Sequence, residues 1–170
     1  ADPKETGNLV SMIGERPIWV AASTHKGEEM IIANIHHKLK EKHEDILTVI
    51  IPRHPNRGVE VLSELGETGK FNLVLRSKGE NVVGDTDIYI ADSIGELGIF
   101  YRLSGIVFIG GSLVEHGGQN PLEAARLECA VISGPHTENF ARIYEELIKE
   151  DVIFSVSDEA SLFTAVDNLL

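Results

Sequence analysis

Residues 106–123 read IVFIGGSLVEHGGQNPLE, and this stretch decides the fold prediction. The apolar run Ile106–Ile109 is typical of a buried strand. A glycine-rich loop follows, and a helix is predicted to begin near Pro121 with Asn120 as its N-cap. Glycines let backbone N–H groups approach an anion, and Glu123 in the first helical turn is placed to bind sugar hydroxyls. The pattern predicts either a phosphate-and-sugar site or an ordinary strand–loop–helix connection with a dipole-matched glutamate.

The loop matches neither common nucleotide-binding fingerprint. Its strand is not followed by GxGxxG, and the loop contains no GxxxxGK[ST]. We therefore expect neither a typical dinucleotide site nor a Walker-type site.

Length and composition indicate an ordinary globular domain. The 170 residues, 42% of them apolar, are enough for one domain with a substantial core. The chain has 15 basic and 27 acidic residues and a net charge of −12, which argues against nonspecific nucleic-acid binding. No apolar run approaches the roughly 20 residues of a membrane span. The single cysteine, Cys129, excludes an internal disulfide and is predicted to pack as a small apolar side chain at a helix end.

Apolar runs of strand length alternate with amphipathic runs of helix length along the chain. Strands are predicted over 18–22, 46–51, 72–75, 87–91, 106–109, 130–133 and 153–156. Helices are predicted over 27–42, 59–65, 96–103, 122–128, 138–149 and from the cap Asp158 to Leu170. The strands are apolar throughout, which is typical of parallel strands covered on both faces. We predict one α/β domain with a doubly wound, mostly parallel, Rossmann-like sheet.

Polar clusters follow four of these strands, where ligands bind in such sheets. The first cluster, STHKGEE at 23–29, offers Ser23 or Thr24 as a cap for the next helix. The unpaired N–H groups at that helix start would alternatively hold an anion. Glu28 and Glu29 then match the helix dipole and point to different faces.

The second cluster, PRHPNR at 52–57, is a loop that two prolines hold rigid. Arg53 offers a planar fork suited to phosphate or carboxylate, and His54 can donate to a phosphate or act as a general acid. The alternative is a solvated, arginine-rich turn. The third cluster, DSIGEL at 92–97, is either another helix cap or a site where Glu96 and the backbone contact a nucleobase or ribose. The fourth is the glycine-rich loop.

The remaining histidines and the single cysteine give no metal-site pattern. His36, His37 and His43 fall on the polar face of a predicted helix and are expected to be solvated. The chain has no HxxxH, HExxH or CxxC spacing and no GxSxG, so we expect neither a bound metal nor a serine nucleophile of that type.

Taken together and in this order, the four clusters resemble the 3-deoxy-D-manno-octulosonic acid (Kdo) transferases. The similarity is carried by WVAASTHKGEE (19–29), IPRHPNR (51–57), ADSIGELGIFYRLSGIVFIGGSLVEHGGQNPLEAA (91–125) and SGPHTENF (133–140). It runs from about Pro17 to the end and is to the carboxyl-terminal half of that family. It implies one half of a GT-B fold, with residues 17–170 as the nucleotide-sugar donor-binding domain. Residues 1–16 would be a linker or inter-domain segment.

The resemblance also implies a reaction and partners. The donor would be CMP-Kdo and the acceptor a lipid A precursor, in lipopolysaccharide assembly on the cytoplasmic side of a bacterial inner membrane, with no cofactor. In the family, the amino-terminal half binds the acceptor, contains the catalytic base and associates with the membrane. No counterpart of that half is present in this sequence, so the isolated chain is expected to be soluble, folded, monomeric and inactive.

The same resemblance implies roles for residues of the four clusters. Arg53 and the loop at 110–112 would contact the phosphate, residues 95–97 the cytidine, and Glu123 the ribose hydroxyls. Asn120 would position the loop or touch the donor. The implied donor-binding residues are Arg53, His54, Gly95, Glu96, Leu97, Gly110, Gly111, Ser112, Asn120 and Glu123, with Ser23, Thr24 and Glu28 as further candidates. Gln119 stands where the family commonly has histidine, and both residues offer a hydrogen-bond donor.

Two other hypotheses stay open from the sequence alone. One is the donor domain of another GT-B enzyme, either a UDP-sugar transferase or an epimerase, which would lack the PRHP run. The other is a non-catalytic module that binds nucleotide without turnover. Titration of CMP against UDP separates the first of these from the Kdo transferase hypothesis.

Overall fold

The computed structural model describes residues 3–170, with the side chains of residue 4 and of residues 7–170. This part of the chain contains seven strands and seven α-helices, which alternate except that no α-helix lies between β3 and β4. The strands are β1 Ile18–Thr24, β2 Leu47–Pro52, β3 Leu73–Leu75, β4 Ile88–Ile90, β5 Ile106–Ile109, β6 Ala130–Ser133 and β7 Ile153–Ser155. The helices are α1 Pro3–Ile13, α2 Glu28–Leu39, α3 Gly58–Gly66, α4 Leu97–Ser104, α5 Leu122–Arg126, α6 Ala141–Lys149 and α7 Glu159–Leu169.

The seven strands form one sheet in the order β3-β4-β2-β1-β5-β6-β7. Every paired strand runs parallel to its neighbour. The predicted doubly wound, parallel α/β fold is therefore confirmed. The physical basis is the apolar composition of the strands: all residues of β4 and β5 are buried, because helices cover both faces of the sheet.

Two apolar layers enclose the sheet, one on each face. Along β1, Ile18, Val20 and Ala22 point into the layer beneath α1, α4, α5 and α6, whereas Trp19 and Ala21 point into the layer beneath α2, α3 and α7. This period of two is the pleat of a strand with both faces covered. Cys129 is buried in the first layer just after α5, as predicted.

The first strand lies at the centre of the sheet, between β2 and β5. From β1 the chain builds one half of the sheet through β2, β3 and β4. It then crosses back through α4, which packs on β1, to begin the other half at β5. The direction of winding therefore reverses between β1 and β5. A crevice outside the carboxyl ends of strands is expected at such a reversal.

Helix α1 is an element that the sequence did not predict. Its Leu9 and Ile13 are 1% and 3% exposed and pack in the layer with α4. Among the α1 side chains that the structure describes, these two are the buried ones, and the helix also contains Gly7, so its apolar periodicity is weak. The predicted boundary between a linker at 1–16 and a domain at 17–170 stays a prediction, and residues 1 and 2 lie outside the described residues.

A buried polar network lies at the amino-terminal ends of the central strands. Trp19 Nε1 donates to Thr48 Oγ1 at 2.7 Å, and the same oxygen lies 2.7 Å from His36 Nδ1. His36 Nε2 lies 3.2 Å from Asp87 Oδ1, which also accepts from Lys40 Nζ at 2.8 Å. Burial lowers the pKa of His36, and the network fits a neutral ring that accepts at Nδ1 and donates at Nε2.

The prediction that His36 is solvated is therefore wrong. Position 36 completes the helix face that packs on the sheet, and Thr48 and Asp87 supply its polar partners there. His37 is exposed as predicted, and His43 is partly exposed and lies 2.8 Å from Asp167 Oδ1.

Candidate functional site

A cleft of about 580 Å³ opens at the carboxyl ends of β1, β2 and β4, beside α5. It is lined by residues of all four polar clusters that the sequence singled out. The predicted residues on its walls are Ser23, Arg53, His54, Gly95, Leu97, Asn120 and Glu123. Clusters 100 residues apart in sequence thus share one cleft, next to the point where the sheet reverses its winding.

Glu123 lies on the first turn of α5 and is exposed to the cleft. A Cβ atom placed on Gly98 would lie 3.1 Å from Glu123 Oε1 and 3.5 Å from Arg102 Nη1. Glycine at position 98 therefore leaves room for the Glu123 carboxylate beside α4. A carboxylate held at a cleft wall in this way can accept two hydrogen bonds, which suits vicinal hydroxyl groups.

Asn120 stabilises the start of α5, although it is not the N-cap residue itself. The structure puts the N-cap at Pro121 rather than at Asn120. Asn120 Oδ1 accepts a hydrogen bond from the Leu122 N–H at 3.0 Å, so its side chain still satisfies one of the first N–H groups of the helix.

The two arginines of the PRHPNR loop have different surroundings. Arg53 is exposed and lines the cleft, and its backbone N–H donates to Thr24 O at 3.0 Å. Arg57 turns inward and donates twice to the Glu29 carboxylate and once to Glu60. These carboxylates raise the pKa of Arg57. Arg53 is thus the arginine of this loop that faces the cleft.

The Glu96 carboxylate forms an ion pair with the Arg76 guanidinium outside the main cleft. It accepts from Arg76 Nε at 2.7 Å and from Arg76 Nη2 at 2.8 Å, and this pairing lowers the pKa of Glu96. Both residues line a neighbouring cavity of about 450 Å³. A contact of Glu96 with a donor stays a prediction. The sequence analysis did not single out Arg76, although it begins the polar stretch RSKGEN at 76–81.

The first part of the glycine-rich loop lies beneath the cleft. Gly110 N–H donates to Ala22 O at 2.7 Å, and Gly111 N–H donates to Glu28 Oε1 at 2.7 Å. Ser112 is fully buried, and its Oγ accepts from the Gly134 N–H at 2.9 Å. A Cβ atom on Gly110 would lie 2.3 Å from Ser23 O, so this glycine allows two backbones to touch. Direct contact of residues 110–112 with a phosphate stays a prediction and would require the Gly110 and Gly111 amides to exchange partners.

The loop after β1 does not cap α2 in the predicted way. The N-cap is Gly27 with φ 97°, and neither Ser23 nor Thr24 bonds to the helix start. Ser23 has φ 58°, a costly conformation for a residue with a side chain, and Thr24 Oγ1 is buried without a hydrogen-bond partner among the described residues. The backbone bends here because the loops after β1 and β5 pack directly on each other. Donor contacts of Ser23, Thr24 and Glu28 stay predictions.

Three loop histidines gather at the rim of the cleft. The rings of His25 and His116 stack with centroids 4.0 Å apart, and His54 meets His25 edge-on at 6.1 Å. Gln119 Nε2 lies 2.9 Å from His25 Nε2. Burial lowers the pKa of His25, with further contributions from His116 and His54. A neutral His25 that accepts a hydrogen bond from the Gln119 amide satisfies this geometry.

Among the described side chains, those of residue 4 and residues 7–170, no group of three or more His, Cys, Asp or Glu is arranged to hold a metal ion. None of the helices in this part of the chain is both long and apolar enough to span a bilayer.

Comparison with known proteins gives a consistent set of relatives. The 3-deoxy-D-manno-octulosonic acid transferase of Haemophilus influenzae is 43% identical over 157 residues. A probable mitochondrial 3-deoxy-D-manno-octulosonic acid transferase of Arabidopsis thaliana is 36% identical over 162 residues. These alignments cover 92% and 93% of this chain but 36% of each relative, so the chain spans about a third of their length. No family model matches the sequence.

A solved structure matches both the fold and the length. The crystal structure of the carboxyl-terminal CMP-Kdo binding domain of WaaA from Acinetobacter baumannii superposes with a TM-score of 0.86 at 32% identity. The match covers 96% of this chain and 87% of that domain.

Proposed function

The chain belongs to the Kdo transferase family, and we propose that it forms the part of such an enzyme that binds the CMP-Kdo donor. The observation that carries the proposal is the convergence of four separate polar clusters on one cleft at the switch point of the sheet. Ligands of doubly wound sheets bind at this position. The residues on the cleft walls also have the chemistry that a nucleoside monophosphate needs.

We assign the donor's parts to the walls of the cleft by charge and shape. The Arg53 guanidinium is suited to the phosphate, with His54 and Asn120 beside it in the cleft. The Glu123 carboxylate is suited to the ribose hydroxyls. Gly95 and Leu97 line the part left for the cytosine. The Ile51, Pro52 and Tyr101 side chains supply apolar surface to the same cleft.

These positions suggest how the chain assists transfer. When the bond between the sugar and the phosphate breaks, negative charge grows on the departing CMP phosphate. A guanidinium held beside that phosphate stabilises the developing charge, which lowers the barrier. Arg53 comes from a loop between two prolines, so little reorganisation is needed when the charge forms.

The remaining parts of the proposal concern the longer protein. We propose that a lipid A precursor is the acceptor and that the reaction serves lipopolysaccharide assembly on the cytoplasmic side of a bacterial inner membrane. The acceptor site, the catalytic base and the membrane contact would lie in regions that this chain does not contain. The support is that the named relatives are about three times as long as the aligned segment.

Calorimetric titration with CMP, UMP and UDP tests the donor assignment. We expect CMP to bind at least about tenfold more tightly than UMP, a difference of roughly 1.4 kcal/mol. Equal or tighter binding of UMP or UDP would favour another GT-B donor domain. A Kdo transfer assay on the same sample should show no turnover by this chain alone, because transfer requires donor and acceptor to be oriented together.

A further inference from the structure

Two adjacent glutamates at the start of α2 are completely buried. Glu28 and Glu29 each have 0% exposed surface, although each sits next to a like charge. A buried carboxylate is costly unless it is paired or hydrogen-bonded. The partners of these two side chains therefore indicate what the burial achieves.

Glu28 joins the loop after β1 to the loop after β5. Its Oε1 accepts from the N–H of His25 at 2.9 Å and from the N–H of Gly111 at 2.7 Å. Its Oε2 accepts from the N–H of Leu113 at 3.2 Å. One carboxylate thus fixes the glycine-rich loop at two points against the central strand.

Glu29 joins the same helical turn to the loop after β2. Its two oxygens accept from Arg57 Nη2 at 2.9 Å and Arg57 Nη1 at 3.1 Å. This is the bidentate geometry in which a guanidinium fixes orientation as well as distance. Arg57 closes the loop that carries Arg53 into the cleft.

We propose that Glu28 and Glu29 are positioning residues. They hold the glycine-rich loop, which carries Asn120, and the PRHPNR loop, which carries Arg53, at one spacing for the donor phosphate. The proposal rests on the proposed function, because it names what sets the geometry of that same cleft. Neither carboxylate lines the cleft, so each acts through the loop that it holds. The two neighbouring side chains leave the helix in different directions, which lets one turn of α2 reach both loops.

The energetics of Glu28 also favour a positioning role. Burial raises the pKa of Glu28 against the opposing effect of its three backbone hydrogen bonds. A carboxyl group whose pKa is higher in the folded state loses stabilising free energy as the pH rises through that value. Burial therefore disfavours the charged form of Glu28, and what its carboxylate contributes is the set of three backbone hydrogen bonds that tie the two loops together.

The test compares Glu28→Gln and Glu29→Gln with the control Glu159→Gln. Glu159 pairs with Lys38 at 3.5 Å on the far part of α2 and lies away from the cleft. Binding of CMP and of cytidine is measured by calorimetry, and the unfolding temperature by circular dichroism. We expect each positioning variant to weaken CMP at least about tenfold, the factor for one lost charge-assisted hydrogen bond, and cytidine much less. The unfolding temperature should shift by less than about 4 °C, and the control should match the parent.

A second readout does not depend on any ligand. In Glu28→Gln, amide hydrogen exchange of Gly111 and Leu113 should quicken, while Val131 in the buried strand β6 exchanges as in the parent. Unchanged exchange at Gly111 and Leu113 would overturn the role of Glu28 in holding the loop.

The binding outcomes separate this proposal from the proposed function. If the parent chain binds CMP and both variants bind it equally well, the positioning proposal is wrong and the proposed function stands. Equal losses for CMP and cytidine, with a large drop in unfolding temperature, would make the glutamates structural residues. A parent chain that binds no CMP would overturn the donor assignment and the positioning role together, and the exchange data would then report only on loop structure.

Discussion

At the scale of single residues, two side chains of the same type differ in whether they face the cleft or support its loops, because their surroundings differ. Arg53 faces the cleft, whereas Arg57 four positions later is held by Glu29. Glu123 is exposed at the cleft wall, whereas Glu28 is buried under the glycine-rich loop. Exposure and partners, rather than residue type, therefore separate the side chains that face the cleft from those that support its loops.

Arg53→Ala should weaken CMP binding more than cytidine binding. Loss of a hydrogen bond to a charged group costs about 1.5–3 kcal/mol, and only CMP has the phosphate. Arg53→Lys should recover part of the loss, because lysine keeps the charge without the planar fork. Calorimetry with both ligands measures the difference, with Arg142→Ala on the exposed side of α6 as a control. Equal losses for the two ligands would mean that Arg53 supports the fold instead.

Glu123→Gln should weaken CMP by roughly 1.5–3 kcal/mol and leave the unfolding temperature nearly unchanged. It should also erase the preference of the chain for CMP over the 2′,3′-dideoxy analogue, because the carboxylate is the proposed partner of the ribose hydroxyls. Titration of both nucleotides against parent, variant and the exposed control Glu145→Gln decides the matter. A variant that still discriminates as the parent does would place the ribose elsewhere.

At the scale of elements, α7 and α2 begin in different ways. Helix α7 starts with a capping box: the Asp158 side chain accepts from Ser161 N–H at 2.8 Å, and Ser161 Oγ accepts from Asp158 N–H at 3.1 Å. Helix α2 has no side-chain cap and starts from Gly27 in a left-handed conformation. Its first turn is used to hold two loops of the cleft, so local capping rules predict α7 better than α2.

Asp158→Ala should lower the unfolding temperature of the chain by about 2–4 °C, the usual effect of losing an N-cap in a domain of this size. The reason is that the Ser161 N–H in the first turn of α7 loses its acceptor while Leu162 and Val166 stay packed in the core. Asp158→Asn keeps an acceptor and should behave as the parent does. Thermal unfolding followed by circular dichroism gives both values, and equal midpoints for the alanine variant and the parent would contradict the capping role.

At the scale of the whole molecule, the polar residues at the two ends of the parallel strands form different structures. The carboxyl-terminal edge carries the cleft, and the amino-terminal edge carries the buried network from Trp19 through Thr48 and His36 to Asp87. That network links β1, α2, β2 and the segment before β4. We therefore expect stability and donor binding to depend on separate sets of polar residues.

Acidification should destabilise the chain through His36. Because its pKa is lower in the folded state, the unfolded chain binds a proton first as the pH falls below about 6.5, and stability drops by up to about 1.4 kcal/mol per pH unit. Above pH 6.5 this contribution is fully present. Urea unfolding at pH 7.5, 6.5 and 5.5 measures the slope. His36→Gln, which keeps a donor toward Asp87, should show a smaller slope, and an equal slope in the variant would contradict the role of His36.

The sequence by itself determined the fold class, the order of the strands and of helices α2 to α7 along the chain, and the loops that line the cleft. It did so because hydrophobic periodicity, apolar strands and turn residues are local signals. It also indicated Arg53, Asn120 and Glu123, which the structure brings to the cleft walls. The family resemblance is confirmed by the relatives that cover more than nine-tenths of the chain.

Only the tertiary structure decided which polar residues line the cleft and which are paired beneath it. Arg76 with Glu96, Glu29 with Arg57, and His36 with Asp87 are pairs between residues 20 to 51 positions apart. Glu28 reaches Gly111, which is 83 positions away. No local pattern encodes such pairings, because they arise when the parallel sheet brings distant strand ends together. The burial of Glu28 and His36 is likewise a property of packing, because it depends on which face of α2 is covered by the rest of the fold.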